Sequence, residues 1–225
     1  MSLTLALMAA MTASDPFEVA RSRMVDLIAA RGVTDKRVLD ALRRFPRHEL
    51  VPERDRARAY EDGPLPIGHG QTISQPYMVA VMTEAAGVES GDKVLEVGTG
   101  SGYQAAILSL VGARVFTIEI VPELAARAGA DLERLGIENV TVRAGDGYKG
   151  WPEQAPFDAI VVTAAPERVP PPLLAQLAEG GRLVIPVGPA GDQVLEVHER
   201  RGGAIQVSRS FAVRFVPMTG EAEKR

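Results

Sequence analysis

The chain has 225 residues, of which 46% are hydrophobic and 24% charged, with a formal net charge of −4 at pH 7. That length suits one domain with a large core, while the negative balance and the 5% aromatic content offer neither an electrostatic footprint for nucleic acid nor a base-stacking platform. There is no cysteine, which excludes disulfides, thiolate metal sites and a cysteine nucleophile and fits a cytoplasmic protein.

Met1–Ala13 is apolar and rich in Ala and Met, but the first Arg is Arg21, so residues 1–14 read as a flexible tail and not as a signal peptide. No stretch approaches a membrane span. Asp15-Pro16-Phe17-Glu18 carries the marks of a helix start: a cap, Pro at the first position and Glu three residues after the cap. Phe17, Ala20, Met24, Leu27 and Ile28 form one apolar face, and Gly32 ends the helix. Thr34 opens a second helix with Val38, Leu42 and Phe45 inward, stopped by Pro46. Arg43–Arg58 mixes both charge signs and reads as a solvated face with local ion pairs.

Pro64–Pro76, PLPIGHGQTISQP, is too rich in Pro, Gly and small polar residues for a regular element. It leads into a helix with Pro76 at its first position and Met78, Val79 and Met82 inward. Ser74 and Gln75 therefore sit at a helix N-terminus, where free N–H groups and the helix dipole favour an anion. The commoner meaning of either residue there is a plain N-cap.

Lys93–Val97 is a short buried strand that runs into Gly98-Thr99-Gly100-Ser101-Gly102, and the pattern turns helical from Tyr103 to Leu108. Strand, glycine turn and helix make the first half of a nucleotide-binding βαβ unit. A dinucleotide fingerprint needs its third Gly or Ala where Tyr103 stands, whereas Glu96-x-Gly98-x-Gly100-x-Gly102 resembles motif I of the class I S-adenosylmethionine-dependent methyltransferases. The βα rhythm then repeats. Ala113–Ile120 is a strand, Pro122 to about Leu135 a helix, Val140–Ala144 a strand ending in Gly145-Asp146-Gly147, and Phe157–Thr163 a strand ending Thr-Ala-Ala-Pro. A helix over Pro170–Ala178 and a strand over Gly181–Val187 follow. Gln193–Glu199 and Gln206–Val216 have no helix between them and read as an antiparallel hairpin closing a mostly parallel sheet. The pattern predicts a three-layer α/β/α Rossmann-like fold with N-terminal helices and ligands at the carboxyl ends of the strands. One domain is expected over 15–225, divided into helices and loop (15–75), βα core (76–190) and hairpin (191–225).

Glu119 lies about 20 residues after the glycine turn, at the end of the next strand, where a carboxylate can accept both ribose hydroxyls. Asp146 ends the third strand and can accept from an adenine amino group, although Asp-Gly is also an ordinary turn. Glu96 can support the glycine loop or face the cationic end of the ligand. His48, His69 and His198 share no metal-ligand spacing, so no metal is expected. A loop role suits His69 better than catalysis, and Trp151 is expected to pack. With no Cys, no metal cluster and no compelling base, the acceptor should be a nucleophile at neutral pH. A carboxylate, with a pKa of about 3.5 to 4, needs orientation and no general base.

PLPIGHGQTISQPYMVAVMTE, VLEVGTGSGYQAA, FDAIVVTAAP, LAEGGRLVIPVG and RFVPM together resemble the protein-L-isoaspartate O-methyltransferase family, from about Thr34 to Thr219. The Gln71–Pro76 segment is the family-specific part. The resemblance implies methyl transfer from S-adenosylmethionine to the free α-carboxylate of L-isoaspartyl residues in damaged proteins, the ester then closing to a succinimide. It implies that Ser74 is the active-site serine, flanked along the cofactor by Thr72 and Ile73, with Ile73 also toward substrate. Gly98, Thr99, Gly100, Ser101, Gly102, Glu119, Ile120, Asp146 and Gly147 would complete the cofactor site, and Thr219 would close over it. Val213 and Phe215, on the last strand, would line the peptide groove. The expected partners are isoaspartyl proteins and peptides, with no nucleic acid or membrane, for a monomer. Two other readings stay open: an NAD-dependent oxidoreductase, and a binding module that keeps the fold without catalysis.

Overall fold

The computed structural model describes residues 16–224; the predicted tail (1–14) and Asp15 lie outside the described residues. Helices α1 (Glu18–Ala30) and α2 (Lys36–Arg44) open the chain, followed by two short 3-10 turns. Strands β1 (Leu65–Gly68) and β2 (Gln71–Ile73) precede α3 (Pro76–Ala86). Then come β3 (Lys93–Val97), α4 (Tyr103–Val111), β4 (Arg114–Glu119), α5 (Pro122–Arg134), β5 (Val140–Ala144) and β6 (Phe157–Val162). The chain continues through α6 (Pro171–Ala175), β7 (Leu177–Val187), β8 (Gln193–Arg201) and β9 (Ala204–Val213).

Seven strands form one sheet in the order β5-β4-β3-β6-β7-β8-β9. β5, β4, β3, β6 and β7 are mutually parallel, and β8 is antiparallel to both neighbours, as the predicted terminal hairpin requires. The central strands are apolar on both faces because both are covered. Val94, Val115, Ala159, Val161 and Val184 face the side packed by α3, α4 and α5. Leu95, Val97, Ile118, Ile160 and Ile185 face the other, with Trp151, Leu173 and Met218. α1 and α2 pack outside α3 and α4. The chain leaves β3 toward β4 on one side and receives β6 on the other, so the carboxyl end of β3 is the crevice of the sheet.

Several local expectations change. Phe17 occupies the position before α1, and the buried face is Met24, Val25 and Ile28, while Ala20 is exposed and Leu27 is 62% exposed. That face is the one α1 turns to α2 and α3. Asp35, not Thr34, caps α2, its carboxylate accepting from Arg37 N–H; Thr34 instead donates to Glu84. The tract predicted to be irregular contains a β-hairpin, β1 paired antiparallel with β2. Its turn places His69 (φ 53°) and Gly70 (φ 70°) in the left-handed region, as a two-residue hairpin of the favoured twist demands. α6 is five residues long and β7 starts at Leu177, so the predicted helix over Pro170–Ala178 is cut short by sheet pairing. The last strand stops at Val213 rather than Val216, because Val216–Met218 leaves the hairpin to bridge Ala165. Arg47 overturns the solvated reading of Arg43–Arg58. It is fully buried, its Nε–H donating to the Ala59 carbonyl at 2.8 Å and its guanidinium lying 4.7 Å from the Tyr103 ring centroid.

Candidate active site

The glycine turn lies where expected, at the carboxyl end of β3. Gly98 (φ +98°) and Gly100 (φ +52°) hold backbone conformations that side chains rarely adopt. A Cβ on Gly98 would also collide with the Thr163 hydroxyl, which donates to the carbonyls of Gly98 (2.6 Å) and Val97 (3.1 Å). The turn and β6 are thus locked together beside a cleft that the turn helps to line. That cleft has the mixed polar and apolar lining of a small-molecule site.

Of the predicted residues, Thr72, Ile73, Ser74, Glu96, Gly98, Thr99, Gly100, Ser101, Glu119, Ile120, Gly147 and Thr219 line this one cleft. Gly102 does not; it sits at the start of α4, packed against Leu132. Asp146 is not in the wall either. Its carboxylate accepts from Tyr148 N–H (2.9 Å) and Glu221 N–H (2.8 Å), tying the C-terminal turn to the end of β5. Its neighbour Gly147 does line the cleft, and a Cβ there would strike the Val97 side chain.

Glu119 is buried and pre-oriented: Gly100 N–H donates to one carboxylate oxygen at 2.7 Å and Val121 N–H to the other at 3.0 Å. Glu96 is fully buried. One oxygen accepts from the Thr117 hydroxyl, which itself lies 2.6 Å from the Thr99 hydroxyl, and the other has no partner. Burial pushes the Glu96 carboxyl up to about 8, and the negative charge of Glu119 adds to this, against the opposing pull of the Thr117 hydroxyl. Gln104, on the first turn of α4, also lines the cleft with a buried, unpartnered carbonyl oxygen.

A wider groove opens beside the cleft. Val213 and Phe215 line it, Phe215 from beyond the end of β9, with Arg31, Gln75, Tyr77 and Phe211. Thr72, Ser74, Thr163 and Val216 belong to both cavities, so Ser74 stands at their junction. Ile73 is buried and faces the cleft alone. Ser74 is not the helix cap. Gln75 holds that position without a side-chain cap bond, and among the described residues nothing takes up the Ser74 hydroxyl.

The sequence model of the protein-L-isoaspartate(D-aspartate) O-methyltransferase family matches residues 19–223. The chain belongs to this family. It is 59% identical over 200 residues to the protein-L-isoaspartate O-methyltransferase of Gloeobacter violaceus, covering 88% of this chain and 98% of that one. It is 55% identical over 200 residues to that of Myxococcus xanthus, covering 87% and 94%. A solved protein-L-isoaspartate O-methyltransferase superposes with a TM-score of 0.82 at 32% identity, over 90% of this chain and 67% of that one. The Plasmodium falciparum family structure, solved in complex with S-adenosyl-L-homocysteine, superposes with a TM-score of 0.77 at 27% identity, over 88% and 98%.

For this family member, sequence reasoning missed Thr163, Gln104, Tyr103 and the run Val216–Met218 as cleft walls. Thr163 was within reach, since a hydroxyl at the carboxyl end of a central strand faces the crevice. Val216–Met218 was not, because it reaches the cleft only through the pairing of Ala165 N–H with Val216 O and of Met218 N–H with Ala165 O, both at 2.8 Å.

Proposed function

We propose that the chain is a protein-repair methyltransferase acting on the free α-carboxylate of L-isoaspartyl residues, with S-adenosylmethionine as the methyl donor. The observation that carries this reading is the unengaged hydroxyl of Ser74 at the junction of the cleft and the wider groove. A small ligand suits the first and an extended peptide the second.

The cleft's residues fit the donor. The glycine turn, lacking side chains at Gly98 and Gly100, admits close approach, the carboxylate of Glu119 retains lone pairs for ribose hydroxyls, and the unpartnered oxygens of Glu96 and Gln104 suit an ammonium group. Thr72, Ile73, Ile120, Gly147 and Thr219 supply the remaining walls, and Asp146 contributes by holding the C-terminal turn. When bound, S-adenosylmethionine supplies a methyl group activated by its sulfonium.

The protein's own task is orientation. An isoaspartyl carboxylate is ionised at neutral pH and attacks without a base. Ser74 donates a hydrogen bond that fixes its direction, while Val213 and Phe215 offer apolar contact to the flanking peptide. The contact should be modest, since the carboxylate's charge is lost in the transition state and tight ground-state binding would oppose the reaction. We further propose that residues 15–225 act as one domain, as a cytoplasmic monomer without a nucleic-acid partner. No helix among the described residues is long and apolar enough to cross a membrane.

The test uses two peptides identical except for Asp or isoAsp, with labelled methyl donor. Label should enter only the isoAsp peptide and be released by mild base, as an ester requires. Equal labelling, or label stable to base, refutes the reading.

A further inference from the structure

A serine beside a helix start ordinarily turns its hydroxyl to capping. In this chain that task is taken by a residue from another loop. Asp62 accepts from the Tyr77 backbone N–H at 3.1 Å, so its carboxylate caps α3 from outside. The same carboxylate accepts from Gln75 Nε2 at 2.8 Å and pairs with the Arg31 guanidinium, while the Asp62 carbonyl accepts a second bond from Gln75 Nε2 at 3.1 Å. Arg31 in turn lies 3.4 Å from the centroid of the Tyr77 ring. Arg31, Gln75 and Tyr77 all line the wider groove, so a single carboxylate gathers one of its walls. The pairing with Arg31 also offsets the negative charge of Asp62, which would otherwise repel an incoming carboxylate.

Asp62 is itself held in place. Arg47 donates to the carbonyls of Ala59 (2.8 Å) and Gly63 (3.4 Å), at the two ends of the turn that presents Asp62. Its guanidinium stacks on Tyr103, the first residue of α4 and part of the cleft wall. A continuous path of contacts thus runs from the glycine turn through Arg47 and Asp62 to the start of α3.

We propose that Asp62 is a positioning residue for the methyl transfer: by capping α3 from outside, it leaves the Ser74 hydroxyl free for the substrate carboxylate. The proposal rests on the isoaspartyl reading of the site. Without Asp62, the bare N–H groups at the start of α3 recruit the Ser74 hydroxyl just upstream in the chain, and the acceptor loses its hydrogen bond.

The experiment is a double-mutant cycle on the full chain with Asp62→Ala and Ser74→Ala, measuring kcat and KM for an isoaspartyl peptide and the affinity for S-adenosylhomocysteine. Asp62→Ala should lower kcat/KM for the peptide about tenfold and leave S-adenosylhomocysteine affinity within about twofold. The double variant should be no slower than the slower single, since both remove the same hydrogen bond. Asp62→Asn retains the shape of the turn and loses one acceptor, so it should move in the same direction by less, and it serves where Asp62→Ala does not fold. Unchanged kcat/KM in both Asp62 variants, multiplicative losses in the double, or a matching loss of S-adenosylhomocysteine affinity would each overturn the proposal. A wild-type chain that fails to label the isoaspartyl peptide would instead remove the functional reading beneath it.

Discussion

Glu96→Gln should make the protein more stable in alkaline solution, and the gain should grow with pH. The carboxyl is fully buried with one oxygen unpartnered, and it titrates near 8 where an ordinary glutamate titrates at 4.5. Between those two values the folded chain holds a proton that the unfolded chain has released. Stability therefore falls as pH rises through this window, by about 1.36 kcal/mol per pH unit. The contribution is absent below about 4.5 and complete above about 8, a span of about 3.5 units and on the order of 4–5 kcal/mol. Glutamine has nearly the same shape and does not titrate, and groups that do not interact with Glu96 cancel when the two chains are compared. Urea unfolding of wild type and Glu96→Gln at pH 5, 7 and 9 gives the result. The difference in unfolding free energy should shift progressively in favour of the variant, by roughly 3 kcal/mol between pH 5 and 7. Parallel stability curves across that range would show that Glu96 is ionised in the folded protein and that the burial argument fails.

Other outcomes follow from the same geometry. Ser74→Ala should lower turnover on isoaspartyl peptide about ten- to a hundredfold, the worth of one hydrogen bond to a charged group, with S-adenosylhomocysteine affinity kept; full activity would reduce Ser74 to a bystander. Calorimetry should detect S-adenosylmethionine or its demethylated product and no NAD, and Gly100→Val should abolish that heat, since the residue sits at φ +52° against Ile67 and the hairpin backbone. Arg47→Ala should cost about 3 kcal/mol in urea unfolding, because the Ala59 and Gly63 carbonyls lose their donor and the Tyr103 ring its partner; a neutral effect would mean water replaces the guanidinium.

The βα core was legible because its signals are local. Lys93–Val97 is a β-branched apolar run, the glycines after it permit backbone angles that side chains rarely adopt, and Glu119 follows at the spacing one βα unit imposes. The β1–β2 hairpin was hidden by composition. Its strands are short and its turn is His69-Gly70 rather than the Asn-Gly that announces such a turn, yet Leu65, Ile67 and Ile73 are buried with the alternation of paired strands. Burial of Arg47 could not be read along the chain, because an arginine among charges looks solvated until Ala59, Gly63 and Tyr103 close around it. For the same reason Ser74 read as a cap: the residue that relieves it of capping, Asp62, lies in a different loop.

The bridge between Ala165 and Pro217 carries a consequence for the order in which the molecule comes into being. Residues 216–219 form one wall of the cleft, and they arrive after every strand of the sheet has been synthesised. During translation the glycine turn, Glu96 and Glu119 emerge early and can fold onto β4 and β6, but their cavity stays open on one side. It closes only when β8 and β9 have paired and the chain has doubled back to Ala165. A nascent chain halted before Val216 would therefore carry a nearly finished sheet whose cleft still lacks the wall that residues 216–219 supply.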